Sequence, residues 1–110
     1  MEEDFDFVEM MAKIVMDAKR KKARRDAAQQ AVERAVGLVG RFNGNDVPNF
    51  LRAYNAEMTE WGVDEATRLD FFCQVAAVSR YEEVKELRET HESWESFEGA
   101  LLEAYGYAEP

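Results

Sequence analysis

The sequence predicts an all-α protein: a small helical bundle of about four short helices preceded by a long N-terminal helical arm. Three observations point there. From Phe5 to Val39 only Gly37 opposes a helix, proline is absent, and Ala, Lys, Arg, Gln and Glu are plentiful. Aromatic residues in the second half recur at helical spacing beside turn signals: Phe42, Phe50, Tyr54 and Trp61, then Trp94, Phe97 and Tyr105. No stretch alternates apolar and polar residues as a half-buried strand would, and there is no internal repeat or low-complexity segment.

The chain divides into an arm at residues 1–40 with a basic centre, a domain at 41–107 and a tail at 108–110. Counting sevens along the arm from Val8 gives Val8, Val15, Lys22, Gln29 and Val36, with companions Met11, Ala18, Arg25, Val32 and Val39. Both ends of this seam are apolar and its middle is not. Two arrangements fit: one continuous helix of ~30 residues with a charged waist, or two amphipathic helices at about 5–18 and 26–39.

Gly37, Gly40, Asn43, Gly44 and Asn45 mark a loop, after which Asp46 is placed to cap a helix whose first turn accepts Pro48. Val47, Phe50, Leu51, Tyr54, Met58 and Trp61 form its apolar stripe, and Gly62 suits a left-handed end. Asp64 caps the next helix, with Glu65 favourable against the helix dipole. Leu69, Phe71, Phe72, Cys73, Val75, Ala76, Ala77 and Val78 leave that helix a narrow polar face, which belongs in the centre of a bundle. A peripheral helix follows on Tyr81, Val84 and Leu87. Ser93 caps the last one, which buries Trp94, Phe97, Leu101 and Tyr105 and stops at Gly106.

At 110 residues the chain can remove roughly two-thirds of its unfolded surface from water as one domain. A single cysteine, Cys73, excludes an internal disulfide, so a reducing compartment is expected. The acidic start MEEDFDF lacks the features of a signal peptide, and no run approaches the ~20 apolar residues of a membrane span. A protein of the cytoplasm or the nucleus is the expectation. The net charge of −9 divides by sign. Residues 1–18 hold six acids against Lys13, residues 19–25 read KRKKARR, and from Arg41 onward acids outnumber bases fifteen to six. Such a surface repels phosphates everywhere except at the basic stretch.

Phe42 and Gly44 form a Phe-x-Gly opening. Val47, Phe50, Leu51 and Tyr54 follow as Val-x-x-Phe-Leu-x-x-Tyr, and Trp94, Phe97, Leu101 and Tyr105 close the set as Trp-x-x-Phe-x-x-x-Leu-x-x-x-Tyr. In this ordered set residues 41–107 resemble the Gag region of long-terminal-repeat retrotransposons of the plant type. The resemblance implies the fold of a capsid amino-terminal lobe, assembly into particle shells, and no catalysis. Domesticated cellular relatives of that kind assemble or bind short peptides. The zinc knuckle and second capsid lobe of such proteins have no counterpart here, since Cys73 and His91 are the only cysteine and histidine. A fragment of a longer Gag, or a reduced descendant, fits that departure.

No enzyme, cofactor or metal is expected. Cys73 sits among Phe71, Phe72 and Val75, which keep a thiol neutral, and His91 lies where a helix ends. Two N/S ligands do not make a tetrahedral site. Glu82, Glu83, Glu86 and Glu89 alternate with Lys85 and Arg88 on what reads as a wet face. Asn43-Gly44-Asn45-Asp46 lacks the ligand spacing of a calcium loop and reads as a turn with a cap.

Self-association is the favoured function, with Val8, Met11 and Val15 at one end of the arm and Val32, Val36 and Val39 at the other as the contact residues. Changing Val32 and Val36 to Glu is then expected to give monomers with the 41–107 bundle still folded. An alternative is a peptide- or protein-binding adaptor with a groove lined by Phe50, Tyr54, Trp61 and Tyr81. A third is nuclear import or RNA contact through Lys19, Arg20, Lys21, Lys22, Arg24 and Arg25. Acids from the arm's own start or a neighbouring subunit would instead neutralise those bases. Met10, Met11, Ile14 and Val15 would be the apolar side toward a membrane surface or calmodulin-type partner.

Overall fold

The computed structural model describes residues 2–106, with side chains from Val8 to Gly106. The expected tail at 108–110 lies outside the described residues. Helix α1 spans Glu2–Val39, α2 Val47–Glu60, α3 Glu65–Phe71, α4 Tyr81–Thr90 and α5 Trp94–Tyr105, with short 3-10 turns at Phe72–Val75 and Val78–Arg80. Among the described residues this is a long helix and four short ones, as the sequence predicts. The open question about the arm is resolved as one continuous helix of 38 residues. At 1.5 Å per residue it is roughly 57 Å long, and it sets the longest of the molecule's extents, 70 × 27 × 22 Å.

The two halves of α1 have different surroundings. Ala28, Ala31, Val32 and Ala35 share one face and are buried against α2 and α3, with Ala27 and Val36 packed at the edge. Small side chains there let the helix axes approach closely. The division at residue 40 is therefore not a packing boundary, because the second half of α1 is a wall of the core. Val32, 5% exposed, and half-buried Val36 are occupied within their own chain. The expectation that they join copies together is corrected. A glutamate at Val32 would place a charge in the core and unfold the bundle rather than yield folded monomers.

The core is an aromatic web centred on Phe72, which is fully buried. Its ring lies 5.4 Å from Phe42, 5.8 Å from Phe50, 5.1 Å from Tyr54, 5.8 Å from Trp94 and 5.2 Å from Phe97 between centroids. Edge-on geometry dominates these pairs, as ring quadrupoles favour. The two aromatic groups of the sequence thus meet in one core, with Trp61 left outside at 42% exposure.

The central helix expected through Val78 is shorter than its apolar run. After Phe71 it tightens into a 3-10 turn, and Ala76 and Ala77 are extended. The reason is a competing partner: the Phe42 N–H donates to the Val75 carbonyl and the Ala77 N–H to the Phe42 carbonyl, each at 2.8 Å. This isolated parallel bridge ties the loop after α1 to the chain between α3 and α4. Val78 consequently points outward, 94% exposed.

Caps follow the sequence at α3 and α5, where Asp64 accepts from the Thr67 N–H and Ser93 from the Ser96 N–H. Asp46 departs from expectation. It adopts a left-handed conformation (φ 47°) with no side-chain cap bond, and its carbonyl accepts from the Phe50 N–H. The preceding turn is held by the Asn43 side-chain oxygen, which accepts from the Asn45 N–H. Gly44 (φ 87°) lies directly under the Tyr105 ring, with 3.0 Å between its ideal Cβ position and the ring.

Candidate self-association surface

Helix α1 overhangs the bundle from its start to about Arg20. Lys21, Ala23, Arg24 and Arg25 line clefts with the domain, and the Arg25 guanidinium sits over the Phe71 ring at 5.6 Å. On the overhang Val8, Met10, Met11, Ile14, Val15 and Met16 are all 46–65% exposed. The expected contact residues Val8, Met11 and Val15 are thus displayed together. Val39, 37% exposed beside Leu38, lies at the far end of the same helix and does not join them. Met16 was not legible as a contact residue because it lies off the seven-residue seam. Met10 and Ile14 were visible only as the apolar side toward another kind of partner.

Helical geometry fixes which way this surface looks. Steps of 100° per residue put the centre of the Val8–Met11–Val15–Ala18 face about a third of a turn from the Ala28–Ala31–Val32–Ala35 face. The apolar overhang therefore looks past the side of the bundle rather than along its floor. Val8, Met11, Ile14 and Val15 form an exposed apolar strip with no core beneath it, and Met10 and Met16 lie about a third of a turn to either side of it, a candidate interaction surface.

The basic stretch is the junction between overhang and bundle. Lys19, Arg20, Lys21, Lys22, Arg24 and Arg25 are all exposed. Lys22 pairs with Asp26 one turn on at 3.3 Å. Lys21, Arg24 and Arg25 line one side of an open cleft of about 350 Å³ whose other side is Asp64, Ala66, Thr67, Asp70 and Phe71 of α3. Asp64 titrates below the usual carboxylate range, chiefly because Thr67 bonds to it, with Arg24 and Arg68 adding to the effect. Among the described residues, the acids beside this stretch include Asp26, Asp64 and Asp70. Arg88 also engages Asp70, at 2.6 Å.

The adaptor groove does not form. Phe50 and Tyr54 are sealed in the core at 4% and 0% exposure, and the Tyr54 hydroxyl donates to the Arg68 carbonyl at 2.7 Å. Burial pushes its phenol pKa far up. Tyr81 is exposed at the start of α4, and Trp61 lines an open cleft of about 450 Å³ with Arg34, Glu57 and Glu60. Helical spacing put these four in one set, but burial splits them into two core residues and two surface ones.

The remaining candidates sit as structural groups. Cys73 is half-buried and burial raises its thiol pKa, which disfavours the thiolate. His91 Nδ1 lies 2.9 Å from the Leu87 carbonyl at the end of α4. Glu82, Glu83, Glu86 and Glu89 are exposed, and Glu83 accepts from the Tyr105 hydroxyl. Among the described residues no group of three His, Cys, Asp or Glu is placed to hold a metal, and no helix is long and apolar enough to cross a membrane.

A polar network without a pattern in the sequence joins three elements. Asn55 Oδ1 accepts from Arg68 Nη1 at 3.1 Å and from Trp94 Nε1 at 3.0 Å, and its Nδ2 donates to Glu98 at 2.6 Å. Arg68 also donates to the Val63 carbonyl and Thr59 Oγ1. Every group in it is partnered within the chain, so it fastens α2, α3 and α5 and leaves no donor aimed at a ligand. Comparisons with known proteins add no relative: no protein-family model, no curated protein and no solved structure matches this chain.

Proposed function

We propose that this chain is a structural, non-catalytic building block that associates with copies of itself through the overhanging half of α1. That is the assembling role implied by the Gag resemblance of residues 41–107, and the capsid-like part of the reading rests on that resemblance alone. The observation that supports self-association is the set of six apolar side chains, Val8, Met10, Met11, Ile14, Val15 and Met16, held in water on a helix with no core of its own.

Magnitudes decide whether this is enough. Full burial of such a side chain contributes about 1.5–3 kcal/mol, and roughly half remains to be gained at each of the four that share a face, Val8, Met11, Ile14 and Val15. Two overhangs together then supply on the order of 10 kcal/mol, against an association cost of ~4–15 kcal/mol. The balance describes a concentration-dependent pair. A helix of this kind is also marginal alone, so pairing stabilises it.

Replacing Val8 and Val15 by Glu tests the reading. The substituted protein is expected to be a monomer by light scattering where the unsubstituted chain is larger. Its urea unfolding midpoint is expected to match that of the unsubstituted chain diluted to single copies, because both residues lie outside the core. A loss of the fold with no change in mass would show instead that the overhang serves its own bundle.

A further inference from the structure

The overhang carries information about how two copies would meet, an inference that rests on the self-association reading above. We propose that two overhangs pair antiparallel, with Val8 opposite the partner's Ala18 and Met11 opposite the partner's Val15, about a two-fold axis at the level of Lys13.

The register follows from the seam. Positions 4, 8, 11, 15, 18 and 22 lie on one face at seven-residue spacing. Reversing the helix maps this set onto itself in one way, pairing 8 with 18, 11 with 15 and 4 with 22. The four inner positions are Val8, Met11, Val15 and Ala18, all exposed in the single chain. At the outer positions the sequence has Asp4 and Lys22, which are opposite in charge.

Charge along the helix selects the same direction. Residues 2–9 hold five acids (Glu2, Glu3, Asp4, Asp6, Glu9) and no base, while residues 17–24 hold five bases (Lys19, Arg20, Lys21, Lys22, Arg24) against Asp17. The antiparallel register lays the first segment along the partner's second at both ends of the pair. A parallel pair would stack acid on acid and base on base at an interaxial distance of ~8–10 Å, about the Debye length of ~8 Å at physiological salt. In the antiparallel pair Lys22, opposite the second copy's Asp4 on the seam, thereby gains an anionic neighbour.

Length and direction agree. In this register residue 2 reaches the level of the partner's Arg24, so each end of the pair runs beside the cleft that Lys21, Arg24 and Arg25 form with α3. The pairing uses the overhang and the first turn that meets the domain. Because the seam is turned about a third of a turn from the face that packs on α2 and α3, the partner helix passes beside the bundle.

Single cysteines test the arrangement in the full chain carrying Cys73→Ser. The variants Val8→Cys and Ala18→Cys, mixed and then oxidised mildly, are expected to give a covalent dimer, and each alone is expected to stay uncrosslinked. The antiparallel register separates two copies of position 8 by ten residues, about 15 Å along the axis, beyond the ~7 Å limit for a disulfide. Crosslinking of either variant alone would overturn the antiparallel register in favour of a parallel pair and leave self-association standing. A dimeric mass without crosslinks in any mixture would overturn the proposed surface. A single-copy mass throughout, including one with the chain bound to anionic vesicles, would overturn self-association as well. Both substituted positions are exposed, and unchanged helical content by circular dichroism confirms that folding is not the variable.

Discussion

At the residue scale, stability depends on which side chains face inward. Phe72 touches five other rings and is fully buried, so Phe72→Ala is expected to cost about 3–5 kcal/mol in urea unfolding. Asn55→Ala orphans Arg68 and Trp94 together and is expected to cost about 1–3 kcal/mol. Tyr105 has its pKa pushed up from 10.0 to about 12, first by burial and then by its bond to Glu83. While the pH is below 10 its phenol is protonated in folded and unfolded chains alike. Between 10 and about 12 the unfolded chain ionises first, so stability falls as pH rises through that window. Tyr105→Phe is expected to reduce that fall without removing it, since buried Tyr54 acts in the same direction. Urea titrations at neutral and alkaline pH check both. The inward side of Phe50, Tyr54, Trp94 and Phe97 was legible from their 3.6-residue period. Trp61 shares that period and still faces water, because α2 ends at Glu60 and Gly62 turns the chain away with φ 68°. Asn55 was invisible, since an amide inside an apolar stripe has no pattern until three elements bring it partners.

At the element scale, α1 was half legible. Its helical character could be read from composition, whereas the role of its alanines could not. Ala28, Ala31 and Ala35 look like helix formers of no particular address, yet they are the close-packed face against α2 and α3. The apolar seam then assigned Val32 and Val36 to a partner that turned out to be their own bundle, because sequence periodicity shows a sticky face without showing what covers it. The break after Phe71 was hidden for a related reason: the Phe42 backbone, distant in sequence, takes the hydrogen bonds a longer helix would have used. Since the overhang has no tertiary packing, its amide protons at residues 8–18 are expected to exchange rapidly at low protein concentration and to gain protection as concentration rises. Those at 28–36 should be protected throughout, which hydrogen exchange read by mass spectrometry resolves directly.

At the scale of the whole molecule, a compact acidic bundle carries a projecting helix whose tip is acidic and whose base is basic, while the molecule as a whole bears a net charge of −9. Two forces of different range then act between copies. Apolar burial along the overhang is short-ranged and barely sensitive to moderate salt, and the opposed charge segments attract over about a Debye length. Added sodium chloride is accordingly expected to weaken the pair without abolishing it, a trend that analytical ultracentrifugation at several ionic strengths would show. A parallel pair would strengthen under the same change. The central claim, that the overhang is covered by a second copy, is tested most directly by the sedimentation-equilibrium mass of the full chain across a wide concentration series. The expected result is a mass that rises with concentration to twice that of the single chain or beyond. A mass equal to one chain at every concentration would contradict it.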